Sequence, residues 1–389
     1  VSFVSVVRAT VESVTTRILT VRELGRATLA RQHLLRRSDL SVTEMLEHLI
    51  GLQAQAPEPP YYALWTRMRG FTPGRLSDLL ESRRVVRIAL MRGTVFAVTS
   101  SDALALRPWV QPLLTRALHT DVQYAAGLAG IDHTALATLA GDLVRHAPRT
   151  VQELGVLLTE HFPGHDPRAL AFAVRGLLPL VQIPPRGLWG RSGRPRLTLL
   201  EHWIGRDSGS LPPGATEAET LVRRYLAAFG PASVRDAQAW SGLPRLGEIF
   251  DALRPELVVF RDEKGGELFD LPDAPRPDAS TPAPVRILAQ YDNVVLSHAD
   301  RSRLISDADR RRLVTKNGIV HATALVGGTV SASVRRTTTR QSATLEVTPW
   351  RRLSTANRSA IEAEGMRLLK FSAPGAQDHE VRILPEAEM

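Results

Sequence analysis

The apolar and polar positions repeat one grammar along the chain: capped helices followed by a short pair of strands. Thr20-Val-Arg-Glu23 has the form of a capping box, with hydroxyl and carboxylate satisfying orphan amides at a helix start, and predicts a helix over residues 21–37. Ser41-Val-Thr-Glu44 repeats the signal ahead of Met45, Leu46, Leu49, Ile50 and Leu52, an apolar stripe at helical spacing. Pro57, Pro59 and Pro60 stop that helix, a third covers residues 61–69, and a fourth begins at Pro73. Residues 85–90 and 95–99 then read as two strands joined through Met91-Arg-Gly-Thr94. Helices and then a hairpin are the order of a winged helix.

The order recurs twice. Thr150-Val-Gln-Glu153 caps a helix, residues 168–178 form the next, and strands at 181–183 and 196–200 enclose residues 187–193. Residues 216–229 are helical, Ser233-Val-Arg-Asp236 caps a further helix, and residues 246–253 complete the set. Strands at 257–261 and 267–271 then flank the turn at Gly265-Gly266. Residues 274–284, rich in Pro and Asp, read as a linker. Beyond it the pattern predicts strands at 285–288 and 294–296, a small sheet from 320–325, 329–334 and 344–347, and a closing helix at 358–369. The expected fold is α+β. Its domains are a poorly ordered leader (1–20), winged helices over 21–130, 131–210 and 211–283, and a β-rich region with a basic hairpin over 284–389.

Composition narrows the chemistry. The 389 residues are 43% hydrophobic and 23% charged, a globular balance. Cysteine is absent, which excludes disulfides, thiol catalysis and cysteine-bound zinc or iron–sulfur centres. Lys and Arg number 49 against 40 Asp and Glu, for a net charge of +9, and only Lys264, Lys316 and Lys370 are lysines. The excess is blocked: net +6 over residues 1–100, +3 over 151–200, −5 over 251–300 and +6 over 301–350. A genome that favours arginine codons would spread the charge more evenly. Separated basic blocks that converge in the fold would attract phosphates, which Arg engages in bidentate fashion. No stretch reaches the roughly 18 apolar residues of a membrane span, and residues 1–21 lack the core of a signal peptide. The expected compartment is the cytoplasm, with association to the nucleoid.

Several chemistries lack their motifs: there is no Gly-rich phosphate loop, dinucleotide fingerprint or nucleophile elbow. His161 and His165 are separated by Pro163 and Gly164, which break the helix that would bring both to one metal, so neither metal nor cofactor is expected. His298 and Asp300 lie in a charged stretch and are open to structural, phosphate-facing or base-pocket readings. What remains is Leu52-Gln-Ala-Gln-Ala56, two glutamines read at a helix C-terminus and pointing in different directions. Their amides either tie up the carbonyls of that helix end or perform chemistry.

Five blocks, in order, decide between these. They are Gly51-Leu-Gln-Ala-Gln-Ala-Pro57, Arg92-Gly-Thr-Val-Phe-Ala-Val-Thr99, Pro185-Arg-Gly-Leu-Trp-Gly190, Phe229-Gly-Pro-Ala232 with Trp240-Ser-Gly242, and Tyr291-Asp-Asn-Val-Val-Leu-Ser-His-Ala-Asp-Arg301. With these the chain resembles the AlkZ-type DNA glycosylases from about residue 22 to its end. The resemblance implies three tandem winged helices in a C-shaped, DNA-binding architecture. It also implies a monofunctional enzyme that hydrolyses the glycosidic bond of alkylated purines in duplex DNA, interstrand crosslinks included. The family's catalytic Gln-x-Gln falls on Gln53 and Gln55; a sister branch carries Gln-x-Asp, so this chain is more similar to the azinomycin-resistance branch.

Glutamine does not titrate and is no general base. A purine alkylated on its imidazole ring already carries a positive charge and leaves readily, so the remaining task is to position water beside a sugar of oxocarbenium character. Gln53 is expected to position the water and Gln55 to orient it or hold the deoxyribose. Arg335, Arg336 and Arg340, at the tip of a candidate hairpin, would press into a groove unless they merely decorate a solvated wing. Arg301, Arg303, Arg310, Arg311 and Arg312 would add phosphate contacts. By the resemblance, Asp292, Asn293 and His298 would line the site. The rival reading is a winged-helix regulator that binds DNA without catalysis; three modules in one chain favour an enzyme.

Overall fold

The computed structural model describes residues 17–206, 217–315 and 318–386. The chain is mixed α+β. Its first part runs β1 (Ile18–Leu19), α1 (Val21–Arg31), α2 (Val42–His48), β2 (Leu52–Gln53), α3 (Pro59–Arg67), α4 (Pro73–Glu81), β3 (Val85–Ala89) and β4 (Val95–Thr99). The capping boxes at Thr20 and Ser41 both form. α1 stops at Arg31, short of the expected residue 37. Gln32 turns inward, its Nε2 donating to the Ala228 carbonyl at 2.8 Å, and His33 takes a left-handed φ of 53°. Residues 1–16 of the expected leader lie outside the described residues; at its end, Ile18–Leu19 pairs in parallel with a strand some 240 residues later, and Leu19 is buried.

Residues 100–120 and 133–146, given no element by the pattern above, are helical: α5 (Ser100–Thr120) and α6 (His133–His146). There follow β5 (Arg149–Thr150), α7 (Val151–Thr159), α8 (Pro167–Leu177), β6 (Leu180–Ile183), β7 (Arg196–Leu199) and α9 (Leu200–Ile204). Next come α10 (Ala218–Phe229), α11 (Val234–Ser241), α12 (Gly247–Leu253), β8 (Val258–Asp262) and β9 (Glu267–Asp270). The last part holds β10 (Arg286–Leu288), α13 (Asp307–Leu313), β11 (Ala322–Val326), β12 (Thr329–Thr338), β13 (Ser342–Pro349), α14 (Thr355–Ser372) and β14 (Asp378–Ile383). The strand expected at 294–296 is instead a short 3-10 turn over Asn293–Val295, capped by the Asp292 carboxylate.

Three sheets organise the chain. The first two helix–hairpin units share one, in the order β2-β4-β3-β6-β7-β5, because β3 and β6 pair edge to edge through Arg87↔Gln182 and Ile88↔Val181. The third unit has β1-β8-β9, and the C-terminal region has β10-β11-β12-β13-β14, with α14 against it. One apolar cluster joins the first and third units through Ile50, Phe96, Tyr225, Phe229 and Trp240. A second, containing Leu46, Leu52, Ala54, Tyr61 and Leu64, lies under the glutamine segment. Each such buried Leu contributes about 1.5–3 kcal/mol relative to exposure, so the segment rests on a firm floor. The loop between β6 and β7 docks on α3: Tyr61 donates to the Gly187 carbonyl at 2.7 Å, and Trp189 packs 5.0 Å from the Tyr61 ring.

Candidate active site

Gln53 does not end a helix. After α2 the chain reverses through Ile50 (φ 54°) and Gly51 (φ 82°) and enters β2, which pairs with β4 at Leu52↔Ala97 and Gln53↔Phe96. Only glycine fits at 51: a Cβ there would stand 2.3 Å from the Val98 side chain, on a backbone that L side chains resist. The pairing continues with the Ala54 N–H donating to the Val95 carbonyl at 2.7 Å. Alternation in extended chain then puts residues i and i+2 on one face. Leu52 and Ala54 point into the apolar cluster, Gln53 faces away from it, and Gln55 lies in the bend beyond β2. Gln53 is 7% exposed, whereas Gln55 is open to solvent.

Groups from other parts of the chain fix this segment. Asn293 Nδ2 donates to the Gly51 carbonyl at 2.7 Å, and the Gln53 N–H points to Asn293 Oδ1 at 3.5 Å. Arg87 on β3 donates to the Ala54 carbonyl at 2.9 Å and to Gln182 Oε1 at 3.2 Å. Arg92, in the turn before β4, donates through Nη2 to Gln53 Oε1 at 2.9 Å and through Nη1 to the Trp240 carbonyl. The Val95 N–H donates to Gln55 Oε1 at 3.3 Å. Arg92 adopts a left-handed φ of 56°, and Gly242 makes room: a Cβ on Gly242 would lie 3.3 Å from the Arg92 Cα. Burial, and then the charge of Arg301, push the Arg92 guanidinium down to about 10, so it stays charged at neutral pH. Sequence reasoning missed Arg87 and Arg92. Arg92 heads one of the quoted blocks, but its contact with Gln53 crosses 39 residues and leaves no local pattern.

The remaining candidates divide sharply. Asp292 is buried and pairs with equally buried Arg67 through both oxygens, at 2.6 and 2.8 Å, so it braces the interior and does not line the site. His298 is also interior: Nε2 meets the Phe229 carbonyl at 2.9 Å, Nδ1 meets Ser297 Oγ at 3.0 Å, and burial pushes the imidazole down to about 3. Arg303, expected on phosphate, is buried, donating to the Pro231 carbonyl at 2.8 Å and lying 3.8 Å from Asp236. Of the three expected lining residues, Asn293 alone reaches the motif.

Arg301 is half-buried, donates only to the His298 carbonyl at 3.4 Å, and has no carboxylate partner among the described residues. Arg310 and Arg311 are exposed on α13, and Arg312 donates to the Trp350 carbonyl at 3.3 Å. On the β12–β13 hairpin, Arg335 pairs with Glu346 across the strands at 2.9 Å. Arg336 pairs with Glu58 at 2.6 Å and lies 4.9 Å over the Tyr62 ring. Arg340 is exposed in the turn. The hairpin thus reaches the segment that carries the glutamines, and a cavity of about 690 Å³ opens between Glu58, Tyr62, Arg335, Arg336 and Glu346. Among the described residues no group of three or more His, Asp or Glu is placed to hold a metal.

The arrangement has known relatives. The family described as DNA glycosylase AlkZ-like matches residues 46–371. An interstrand DNA cross-link repair glycosylase from Streptomyces sahachiroi is 26% identical over 314 residues, covering 74% of this chain and 80% of that protein. The solved structure of the Streptomyces sahachiroi DNA glycosylase AlkZ matches with a TM-score of 0.76 at 20% identity, over 94% of this chain and 100% of that one, which shows a common fold. The family match runs from within α2 into α14 and takes in the glutamine segment, its clamps and the basic hairpin. The chain therefore belongs to the AlkZ-like DNA glycosylase family.

Proposed function

We propose that this glycosylase hydrolyses the N-glycosidic bond of purines alkylated on the imidazole ring in duplex DNA, with Gln53 and Gln55 positioning the water and the deoxyribose. The observation that carries the reading is the pair itself. Two neutral amides stand two residues apart where β2 ends, and the clamps on that segment come from β3, the turn before β4 and residue 293. Among the described residues no carboxylate or histidine bonds to either amide. The chemistry such a site supports is modest and suits a cationic leaving group. The water oxygen bonds to C1′, the C1′–N bond breaks, and its electron pair stays on the purine nitrogen and cancels the ring charge. The proton passes to solvent. An undamaged, neutral base is left alone because nothing here would protonate it.

In this reading the three helix–hairpin units, over residues 21–130, 131–210 and 211–283, act as winged helices and form a C-shaped cradle with the region 284–389. Arg301, Arg310, Arg311 and Arg340 contact phosphates, and the hairpin enters a groove beside the lesion. The name of the Streptomyces sahachiroi relative extends the substrate class to interstrand crosslinks. A crosslinked base is tethered to the other strand and cannot swing free, so an open cleft suits it better than the closed pocket of a base-flipping enzyme. No helix among the described residues is long and apolar enough to cross a membrane. The test is incubation with alkylated bulk DNA. Free modified base in the supernatant supports the enzyme; a footprint on DNA without base release supports the regulator instead.

A further inference from the structure

The two glutamine amides are not equivalent, and Arg92 makes the difference. A guanidinium carries only donors. With Arg92 Nη2 2.9 Å from the Gln53 side chain, the amide oxygen must face the arginine; the flipped amide would set N–H against N–H. The Gln53 amide nitrogen has no partner among the described residues and is not among the buried polar atoms sealed from solvent. A residue only 7% exposed therefore presents an unpaired NH2 to solvent. Its oxygen already accepts from a cation, which makes it a poorer acceptor and the N–H groups better donors. Gln55 differs: its oxygen is held only by a long 3.3 Å contact from the Val95 amide, and its side chain is exposed. Arg92 is itself fixed by the Trp240 carbonyl, by the Phe96 ring 5.9 Å away and by the space at Gly242. Arg301, close enough to depress Arg92, has no carboxylate partner among the described residues.

We propose that Arg92 is a positioning residue that locks Gln53 as a hydrogen-bond donor to a phosphate oxygen of the lesion strand beside the damaged nucleotide, leaving the Gln55 oxygen to accept from the attacking water. The surroundings fit an anionic acceptor, because neither Arg92 nor Arg301 has a carboxylate partner among the described residues. The proposal rests on the reading of Gln53 and Gln55 as the excision pair, and it refines that reading: the pair divides the work, one amide donating to the backbone and the other accepting from the water.

The test is single-turnover excision of N7-methylguanine from a duplex, with melting temperature followed in parallel. Gln53→Glu keeps the length and acceptor oxygens but loses the donor, and should lose activity about 100-fold, as should Gln53→Ala. Arg92→Ala should fall by a similar factor, with part of the rate restored by free guanidinium at millimolar concentration and less lost in Arg92→Lys. A neutral methylphosphonate beside the lesion should slow the wild type and make Gln53→Ala no worse, since coupled deletions are not additive. Full activity in Gln53→Glu overturns the donor role, and full activity in Arg92→Ala overturns the positioning role. A guanidinium-insensitive loss accompanied by a lower melting temperature reduces Arg92 to a structural brace. An indifferent methylphosphonate overturns the phosphate contact. If the Gln53→Ala and Gln55→Ala double variant keeps the wild-type rate, the functional reading itself fails; if that variant is impaired while Arg92→Ala is not, only this inference fails.

Discussion

The glutamine segment and the β12–β13 hairpin belong to one proposed cleft and are built in opposite ways. Backbone pairing to β4, an apolar floor, Asn293, Arg87 and Arg92 hold the first. The second is tied by the exposed Arg335–Glu346 pair and the partly exposed Arg336–Glu58 pair, and its turn carries Arg340 in solvent. Reaction geometry tolerates little displacement, so the backbone that carries the two amides must be fixed by its surroundings. An arginine that meets a phosphate gains most of its effect from its charge, which acts at longer range and needs less bracing. The contrast extends to the arginines as a class: Arg31, Arg67, Arg87 and Arg303 are buried braces, while Arg310, Arg311 and Arg340 face solvent.

The largest effect expected on the braced side is one of stability. Asp292→Ala leaves the Arg67 guanidinium buried and unpaired and should cost about 3–5 kcal/mol, read by denaturant unfolding; a loss under about 1 kcal/mol would make the brace dispensable. On the hairpin side, replacing Arg335, Arg336 and Arg340 together should leave stability intact and weaken DNA binding. The slope of log affinity against log salt should fall by about 0.9 for each phosphate contact removed. An unchanged slope takes the hairpin out of the interface.

A smaller effect comes from His33, beside the start of this architecture. Burial first, then His48 and Arg67, push it down to about 4 from its ordinary 6.5. The unfolded chain therefore binds the extra proton between those values, and stability rises with pH across the window and is flat in this respect above it. The melting temperature should fall on acidification from pH 6.5 to 4, and less steeply in His33→Gln. The smallest effect belongs to Glu58→Gln, which removes the Arg336 ion pair between hairpin and motif segment; partly exposed pairs contribute about 0–1 kcal/mol, so excision should change more than melting temperature does.

What was legible in the sequence was local. The capping boxes at Thr20, Ser41, Thr150 and Ser233 all form, because each needs only residues three apart. The hairpins β8–β9 and β12–β13 follow from alternation and turn residues, although β12 runs beyond the expected 334 and carries Arg335 and Arg336 in its strand. The glutamines stand out as a motif, but the pattern puts them at a helix end, whereas the tight reversal at Ile50 and Gly51 sends the chain onto β4, a pairing that is tertiary. For the same reason Asp292, His298 and Arg303 looked available when each has a buried partner more than 60 residues away. The arginine surplus looked like a single DNA-binding signal, yet part of it is internal bracing that charge counting cannot separate.

The most direct test of the account compares wild type with the Gln53→Ala and Gln55→Ala double variant on a duplex carrying one N7-alkylguanine, at saturating protein and matched DNA occupancy. The account predicts that free alkylguanine appears in a single turnover with the wild type and about 100- to 10,000-fold more slowly with the variant, the range that a lost positioning or proton-handling group produces. Equal rates of base release would contradict it.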